Sequence, residues 1–297
     1  DGRELPPFTA GGHIDVVIAP EYQRPYSLAG DPADRSRYVL GVLREPPEAG
    51  GRGGSALMHR AFREGRRVFV SRPVNHFALH EDATHSWLFA GGIGVTPMIA
   101  MAHRLHALGK AFDFHYSAAS RTTAGFLKDL AQAPWAQRVQ YHFKDEGQRA
   151  ELMQLLPDYA PGQHVYTCGA PRFMDGVFEA ATAHSWPQDA MHREYFSVPE
   201  ADAWVNQAFE LVLQKSGRRL SVSAERSATE VLAEAGLGIS VKCSDGLCGV
   251  CALPYDAQAS DPVEHRDFVL SQKERQHKII LCCSRAQQAG GVIHLDF

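Results

Sequence analysis

Short alternations of apolar and polar residues, broken by Gly, Pro and Asp, fill the first eighty positions and predict strands at 13–19, 37–43 and 67–71, the pattern of a small antiparallel β-barrel. One helix interrupts them at 56–64, where Ala56, Leu57, Ala61 and Phe62 share a face, Ser55 offers a cap and Gly65 a stop. From about 81 to 198 the pattern changes. Apolar strands at 86–90, 112–117, 139–143 and 164–167 alternate with helices: one with Met98, Ala102, Leu105 and Leu108 on a face and Gly109 as its stop, one after Thr123, and one at 149–156. Such alternation predicts a parallel, doubly wound α/β sheet. From about 206 to 297 the chain reads as α+β, with a hairpin of 209–214 and 219–222 around Ser216-Gly217 and a helix at 229–235 that turns Val231, Leu232 and Ala235 inward. The stretch 197–206, with Pro199 among small and acidic residues, reads as a linker. The expectation is a multidomain chain divided at 1–80, 81–198 and 206–297.

Composition narrows the partners. At 297 residues the length alone suggests about two domains, and a net charge of −4 offers no basic field for nucleic acid or an anionic membrane surface. No apolar run approaches the ~18 residues of a membrane span, and no signal-peptide pattern opens the chain, so a cytoplasmic protein is expected. Six cysteines in that setting are expected to stay reduced.

The cysteines carry the strongest chemical signal. Cys243-Ser-Asp-Gly-Leu-Cys248-Gly-Val-Cys251 is a C-x4-C-x2-C run, with Cys282 and Cys283 further on, the ligand spacing of a plant-type 2Fe-2S cluster. Gly246 and Gly249 let the backbone approach inorganic sulfide and point N–H groups at it. A zinc site would more often show two C-x2-C pairs, and a disulfide framework suits a small secreted chain. Elsewhere, Gly50-Gly51-Arg52-Gly53-Gly54-Ser55 precedes a helix, so free N–H groups, a dipole and a cation could hold a phosphate; a Gly-rich hairpin loop is the plainer alternative. Gly91-Gly92-Ile93-Gly94-Val95-Thr96-Pro97 lies between a strand and a helix, a nucleotide-type turn with spacing G-x-G-x-x-P. Cys168-Gly169 follows the strand at 164–167, where a buried structural Cys is the alternative to a catalytic one. His76, His80 and His85 have no Cys or carboxylate at a ligand spacing and read as solvated or satisfied. His265-Arg266-Asp267 mimics a kinase catalytic loop, but a kinase Gly loop and D-F-G do not accompany it.

Arg24-Pro25-Tyr26-Ser27 resembles the R-x-Y-S flavin signature of the ferredoxin reductase superfamily. The resemblance implies Arg24 at the flavin phosphate, Tyr26 against the isoalloxazine ring and Ser27 at its central nitrogen. Gly91, Gly92, Gly94, Thr96 and Pro97 resemble the family's G-G-x-G-x-x-P loop, which implies nicotinamide pyrophosphate at the loop and Thr96 near the flavin. Cys168-Gly169 with Met174-Asp175 resembles C-G-P-x-x-x-M-D, although Ala170 stands where Pro is usual and Pro171 comes one place late. That places Cys168 beside the nicotinamide. His192-Arg193-Glu194-Tyr195-Phe196 resembles the H-x-E-x-F ending and implies Glu194 and Phe196 near the flavin. The strand–helix order before Cys243 resembles a β-grasp ferredoxin, while Glu264-His265-Arg266-Asp267 and Cys282-Cys283-Ser284-Arg285-Ala286 resemble phrases of phthalate dioxygenase reductases. The whole chain is similar to that family in its order of flavin barrel, nucleotide domain and ferredoxin.

The resemblance implies an oxidoreductase that passes electrons from NAD(P)H through FMN to a 2Fe-2S cluster and on to an oxygenase, either a separate Rieske-type component or a fused haem monooxygenase. The rival readings are a ferredoxin-like electron-transfer protein with a degenerate flavin domain and a metal-stapled binding protein. Ser27, Thr96, Cys168 and Glu194 are the expected catalytic residues; Cys243, Cys248, Cys251 and Cys282 the expected metal ligands. Cys282 is preferred to Cys283 because the first Cys of the resembling C-x-S-R-A phrase is the bound one, and adjacent strand residues face opposite ways. FMN is preferred to FAD because the phosphate turn Gly51 to Ser55 is compact and no segment is left for an adenosine. Ser117, Ser120 and Arg121 end the second strand without a carboxylate, which leans to NADPH, whereas relatives of the phthalate type use NADH. A closed barrel needs about six strands and only some four candidates lie in 1–80, so the natural chain is expected to carry strands, or a whole haem domain, before Asp1.

Overall fold

The computed structural model describes residues 4–19, 22–45, 53–198 and 204–297. The chain divides into two compact units, Asp1–Glu194 and Tyr195–Phe297. In the first, β1 (His13–Ala19) pairs antiparallel with β2 (Tyr22–Ser27), helix α1 (Gly54–Ala61) follows, and β3 (Phe69–Val70) joins the other edge of β1. Pro25 is tolerated within β2 because that strand is the outer one in the order β2-β1-β3, where a missing N–H need not break a ladder. Alternate residues Ile14, Val16 and Ile18 turn inward from β1 and meet Leu28, with Leu57, Met58 and Phe62 packed against them. Two expectations change here. The strand at 37–43 is reduced to a single bridge of Leu40 with Leu28, and Ser55 does not cap α1: Gly53, in the left-handed region at φ 82°, is the N-cap, while the Ser55 hydroxyl accepts from the Glu45 N–H at 3.1 Å.

The same unit continues through β4 (His85–Gly91), a 3-10 turn at Gly92–Gly94, α2 (Val95–Ala107), β5 (Ala111–Ala118), α3 (Leu127–Gln132), β6 (Val139–Phe143), α4 (Leu152–Leu155), β7 (Gln163–Cys168), α5 (Pro171–Ala183) and β8 (Met191–Glu194). All five strands are parallel, in the order β6-β5-β4-β7-β8. Helices cover both faces: Met98, Ala102 and Leu105 of α2 with Leu130 of α3 pack on Leu88, Phe112 and Phe114, and Val177 and Ala181 of α5 on Phe89 and Val165. The doubly wound sheet is therefore as expected, although the helices predicted after Thr123 and at 149–156 are short. Leu108, expected on the inner face of α2, sits beyond its end and is 37% exposed. Phe8, Ala10, Ala29, Val39 and Phe77 enter the α2 core, so residues on both sides of position 80 share one apolar interior.

The second unit contains β9 (Phe209–Leu213), β10 (Arg219–Val222), α6 (Ala228–Glu234), β11 (Ala252–Pro254), β12 (Val263–Glu264), α7 (Gln272–Arg275), β13 (Lys278–Ile280), β14 (Arg285–Ala286) and β15 (Val292–Leu295). β9 is central, antiparallel to β10 and parallel to β15, and two ribbons, β11 with β13 and β12 with β14, complete it. Ser227 and Glu230 form a capping box on α6. Arg285, 7% exposed, donates to four carbonyls, those of Gln207, Ser223, Ala224 and Arg226, the last at 2.7 Å. Among the described residues of the chain no helix is long and apolar enough to cross a membrane.

Removing the Arg285 guanidinium leaves those carbonyls without their donor in a dry interior, at about 1–3 kcal/mol for each that water cannot reach. Arg285→Met is expected to lower the stability of the second unit by roughly 2–5 kcal/mol. Denaturant unfolding measures it, and an unchanged midpoint would show that water replaces the guanidinium.

Candidate functional site

Chain topology places the first site. Connections run from β4 outward through β5 to β6 and then cross back to β7, so β4 and β7 are neighbours whose following loops diverge, a crevice at the carboxyl ends of the strands. The two loops touch there. A Cβ on Gly94 would stand 2.1 Å from the Cys168 carbonyl oxygen, one on Gly91 2.9 Å from the Phe173 ring, and one on Gly169 2.9 Å from Gly91. Only hydrogen fits, so the Gly-rich turn lies flat against the Cys168-Gly169 turn with Gly94 buried. Pro171 occupies the first turn of α5, where its missing N–H costs nothing, which accommodates the one-place shift from the family phrase. Thr96 is buried and its hydroxyl donates to the Ile93 carbonyl at 3.1 Å; a Cβ on Gly41 would stand 2.5 Å from its methyl group. Pro97, in the first turn of α2, is buried as well.

At this edge the flavin signature meets the sheet. Ser27, the last residue of β2, is 5% exposed and donates to Glu194 Oε2 at 3.2 Å, although 167 residues separate the two. Glu194 ends β8 and pairs in register with Cys168, which ends β7. Burial pushes the Glu194 carboxyl up to about 8, against a smaller opposing effect of the Ser27 hydrogen bond. Burial, with the Glu194 carboxylate adding to it, also pushes the Cys168 thiol well up, so it stays protonated at neutral pH. Tyr26 is half-buried and its hydroxyl is raised by that burial, and the Arg24 guanidinium donates to the Gln23 carbonyl at 2.9 Å. Gly53 and Gly54 begin α1; Gly51 and Arg52 lie outside the described residues. Ser27, Tyr26 and the α1 N-terminus have the donor chemistry that a flavin mononucleotide needs, and the Gly91–Gly94 turn has the flat backbone that a pyrophosphate needs.

Two of the expected ribose-side residues are engaged elsewhere, and the third is enclosed without a partner. Ser117 Oγ is buried, Ser120 Oγ bonds the hydroxyls of Thr122 and Thr123, and Arg121 makes a two-point ion pair with Glu146 at 2.6 and 3.2 Å over the Phe143 ring. Phe196 belongs to the second unit and is 40% exposed.

In the second unit the cysteine sulfurs form a connected group: Cys243 hydrogen-bonds with Cys248 and Cys282, and Cys251 with Cys282. Backbone N–H groups of Asp245 and Leu247 point at the Cys243 sulfur and that of Val250 at Cys248. Gly246 and Gly249 have φ of 74° and 69°, the left-handed turns that aim those N–H groups inward. Thiol donors and amides draw Cys243 far below the usual thiol range and Cys251 down to about 7, led in each by a hydrogen bond from another cysteine. Four sulfurs ringed by amide donors fit a 2Fe-2S cluster. One expectation changes: residues 281–283 form a turn and not a strand, and the Cys283 thiol hydrogen-bonds with that of Cys282 instead of facing away. Cys283 also approaches the Ile280 carbonyl at 3.9 Å, and a Cβ on Gly246 would stand 2.8 Å from its sulfur.

The family phrases beside the cluster loop prove to be fastenings. Asp267 Oδ1 accepts from Val269 and Leu270 N–H groups, and Arg275 donates to the Asp267 carbonyl. Arg266 joins Glu264, Asn206 and the Val205 carbonyl and lies over the Trp204 ring. The histidines are solvated or satisfied as expected, through partners that sequence spacing does not show. His85 pairs with Asp113 at 2.9 Å, and His80 packs with His164 and His192, partners that are distant in sequence and therefore invisible to spacing.

The raised Glu194 carboxyl has a pH consequence. Between its unfolded value of about 4.5 and its folded value of about 8 the native state binds the extra proton, so its contribution is complete below 4.5 and is lost as pH rises through 8. Glu194→Gln cannot titrate. Its melting temperature is expected to fall less than that of the wild type between pH 5 and 8.5, and parallel curves would overturn this assignment.

Comparison with known proteins follows the same division. Residues 211–287 match the family described as 2Fe-2S iron-sulfur cluster binding domain. The chain is 36% identical to phthalate dioxygenase reductase of Burkholderia cepacia, with 99% of this chain and 90% of that protein aligned. It is 37% identical to a vanillate O-demethylase oxidoreductase of a Pseudomonas strain, covering 99% and 92%. Among solved structures, phthalate dioxygenase reductase, a modular structure for electron transfer from pyridine nucleotides to a 2Fe-2S cluster, superposes with a TM-score of 0.67 at 35% identity, covering 100% of this chain and 90% of that one. An intact type IV self-sufficient cytochrome P450 monooxygenase superposes with a TM-score of 0.87 at 37% identity; all of this chain is covered, and it spans 38% of the P450 chain. The aligned length, the flavin signature and the cysteine group agree, and the chain belongs to the phthalate dioxygenase reductase-like family of oxygenase reductases.

Proposed function

We propose that this chain carries electrons from NAD(P)H through FMN to a 2Fe-2S cluster and delivers them to an oxygenase. The observation that carries the reading is the Ser27–Glu194 hydrogen bond, which joins the flavin signature to the carboxyl edge of the nucleotide sheet at its crevice. Relatives that span nearly the whole chain are reductase components of oxygenase systems. With the cofactors bound, the chemistry supplied is two-electron acceptance from the nicotinamide and one-electron release to the cluster.

The side chains have narrower tasks. Tyr26 offers a ring face to the flavin and Ser27 a hydroxyl to its central nitrogen, while Gly53, Gly54 and Ser55 at the start of α1, with Arg24, Gly51 and Arg52, take the phosphate. Glu194 keeps a proton beside Ser27 through neutral pH, and the protonated Cys168 keeps that edge uncharged. Cys243, Cys248, Cys251 and Cys282 hold the cluster. The part of the first unit before β4 takes the form of an antiparallel barrel and the second unit that of a β-grasp ferredoxin, in a cytoplasmic protein. The acceptor is an oxygenase, as a Rieske-type component or as a fused haem domain; fusion would raise the effective concentration at the cluster to about millimolar. For the nucleotide, NADPH remains favoured through Arg121, which must exchange Glu146 for a 2′-phosphate.

Purified protein is expected to show flavin and cluster absorption together and to release FMN on heating; release of FAD, or a colourless protein, removes the reading. Cys282→Ser should lose or alter the cluster spectrum while Cys283→Ser retains it, and the reverse pattern moves the fourth ligand. Kinetics with both nicotinamides should show Arg121→Ala losing at least tenfold in kcat/KM for NADPH with little change for NADH. An unchanged preference takes Arg121 out of the site.

A further inference from the structure

Three imidazoles gather at a place the redox path does not use. His164 near the start of β7 and His192 in β8 lie on one face of the sheet, since His192 pairs in register with Tyr166, two residues along β7 from His164. Their rings meet edge to edge, with His164 Nδ1 and His192 Nε2 2.9 Å apart. His80, from the segment before β4, lies over both, its ring centroid 4.3 Å from His164 and 4.8 Å from His192. One ring nitrogen from each of the three falls within 4.8 Å of the others. Tyr166 secures the group: its ring packs on His192 at 4.7 Å, and its hydroxyl accepts from the His80 backbone N–H at 2.9 Å.

We propose that His80, His164 and His192 bind one divalent metal ion of the imidazole-preferring class, with zinc as its type. Three histidines and an open fourth position form a recurrent zinc geometry, and nitrogen donors select zinc, nickel or copper over magnesium and calcium. A tetrahedral ion at about 2.0–2.1 Å from each nitrogen separates its ligands by roughly 3.3 Å. The His164–His192 pair needs to open by only a few tenths of an ångström. His80 must turn from a stacked to an end-on position, which its exposed place in a loop permits. The site lies apart from the cofactor edge, because Cys168 is four residues along β7 from His164, about 13 Å at strand rise. Bound metal would tie the segment before β4 to β7 and β8.

Titration calorimetry of the chelator-washed holoprotein with zinc chloride tests the proposal. The wild type should bind one equivalent that is weakened at least tenfold in His80→Ala, the scale of loss when a metal site is disturbed. Zinc should also raise the melting temperature of the wild type and not that of His80→Ala. The exposed His80 is the decisive position, because its substitution leaves the sheet intact, which flavin and cluster absorption verify; His192→Ala should lose binding as well. Equal zinc binding by wild type and His80→Ala, or no one-equivalent site in the wild type, would falsify the assignment.

Discussion

The contact between Gly94 and the Cys168 carbonyl governs the first unit. Two turns from neighbouring parallel strands approach until a methyl group would stand 2.1 Å from that oxygen, so the crevice owes its shape to a missing side chain. With the turns flat, Cys168 ends β7 beside Glu194, and Glu194 can reach Ser27 on a separate sheet. A side chain at position 94 would force the turns apart and disturb that alignment, although it touches neither Ser27 nor Glu194. The packing that frames the site and the polar contact that completes it are thus one constraint.

The second unit meets a different demand, to keep a wide loop rigid where it has no regular ladder. Positive-φ glycines give the loop its turns, and buried charged groups hold its ends. Arg285 gathers four carbonyls, Arg266 links Glu264 to Asn206, and Asp267 fixes the backbone of Val269 and Leu270. Buried ions of this kind are retained only where their hydrogen bonds are nearly filled. Arg266 and Arg285 meet that condition.

How much was legible in the sequence follows from the range of the forces. Strands β1, β6 and β10 coincide with their predicted bounds, because a half-buried strand writes its two-residue period locally. β2 is legible first as a cofactor motif and only as the plainer alternative as a surface strand, since Arg24-Pro25-Tyr26-Ser27 has no clean alternation and its ladder comes from pairing with β1. The Ser227-x-x-Glu230 capping box sets the start of α6 at Ala228, one residue before the expected 229. At the sites, the glycine turns and the four cysteines were visible because their chemistry is local. The Ser27–Glu194 bond, the Arg121–Glu146 pair and the His80–His164–His192 group are invisible in the sequence, since nothing in their spacing signals contact; two separate family phrases bring Ser27 and Glu194 near the flavin but do not join them.

Two sets of cysteines show what decides a thiol's state. Cys168 is fully enclosed among apolar side chains with a carboxylate for a neighbour, and desolvation keeps its proton on. Cys251 is buried and Cys243 half-buried, yet thiol and amide donors outweigh desolvation and draw both down. Burial alone therefore does not separate a structural cysteine from a ligand. Hydrogen bonds from other thiols, and then from backbone N–H groups, draw Cys243 and Cys251 down, whereas Cys248 and Cys282, whose thiols donate within the group, are pushed up. The same reasoning applies to Glu194, whose one hydroxyl donor is too little to offset desolvation. One chain thus keeps a carboxyl and a thiol neutral at the nucleotide edge and, in another fold, draws two of four clustered thiols, Cys243 and Cys251, toward the charged form.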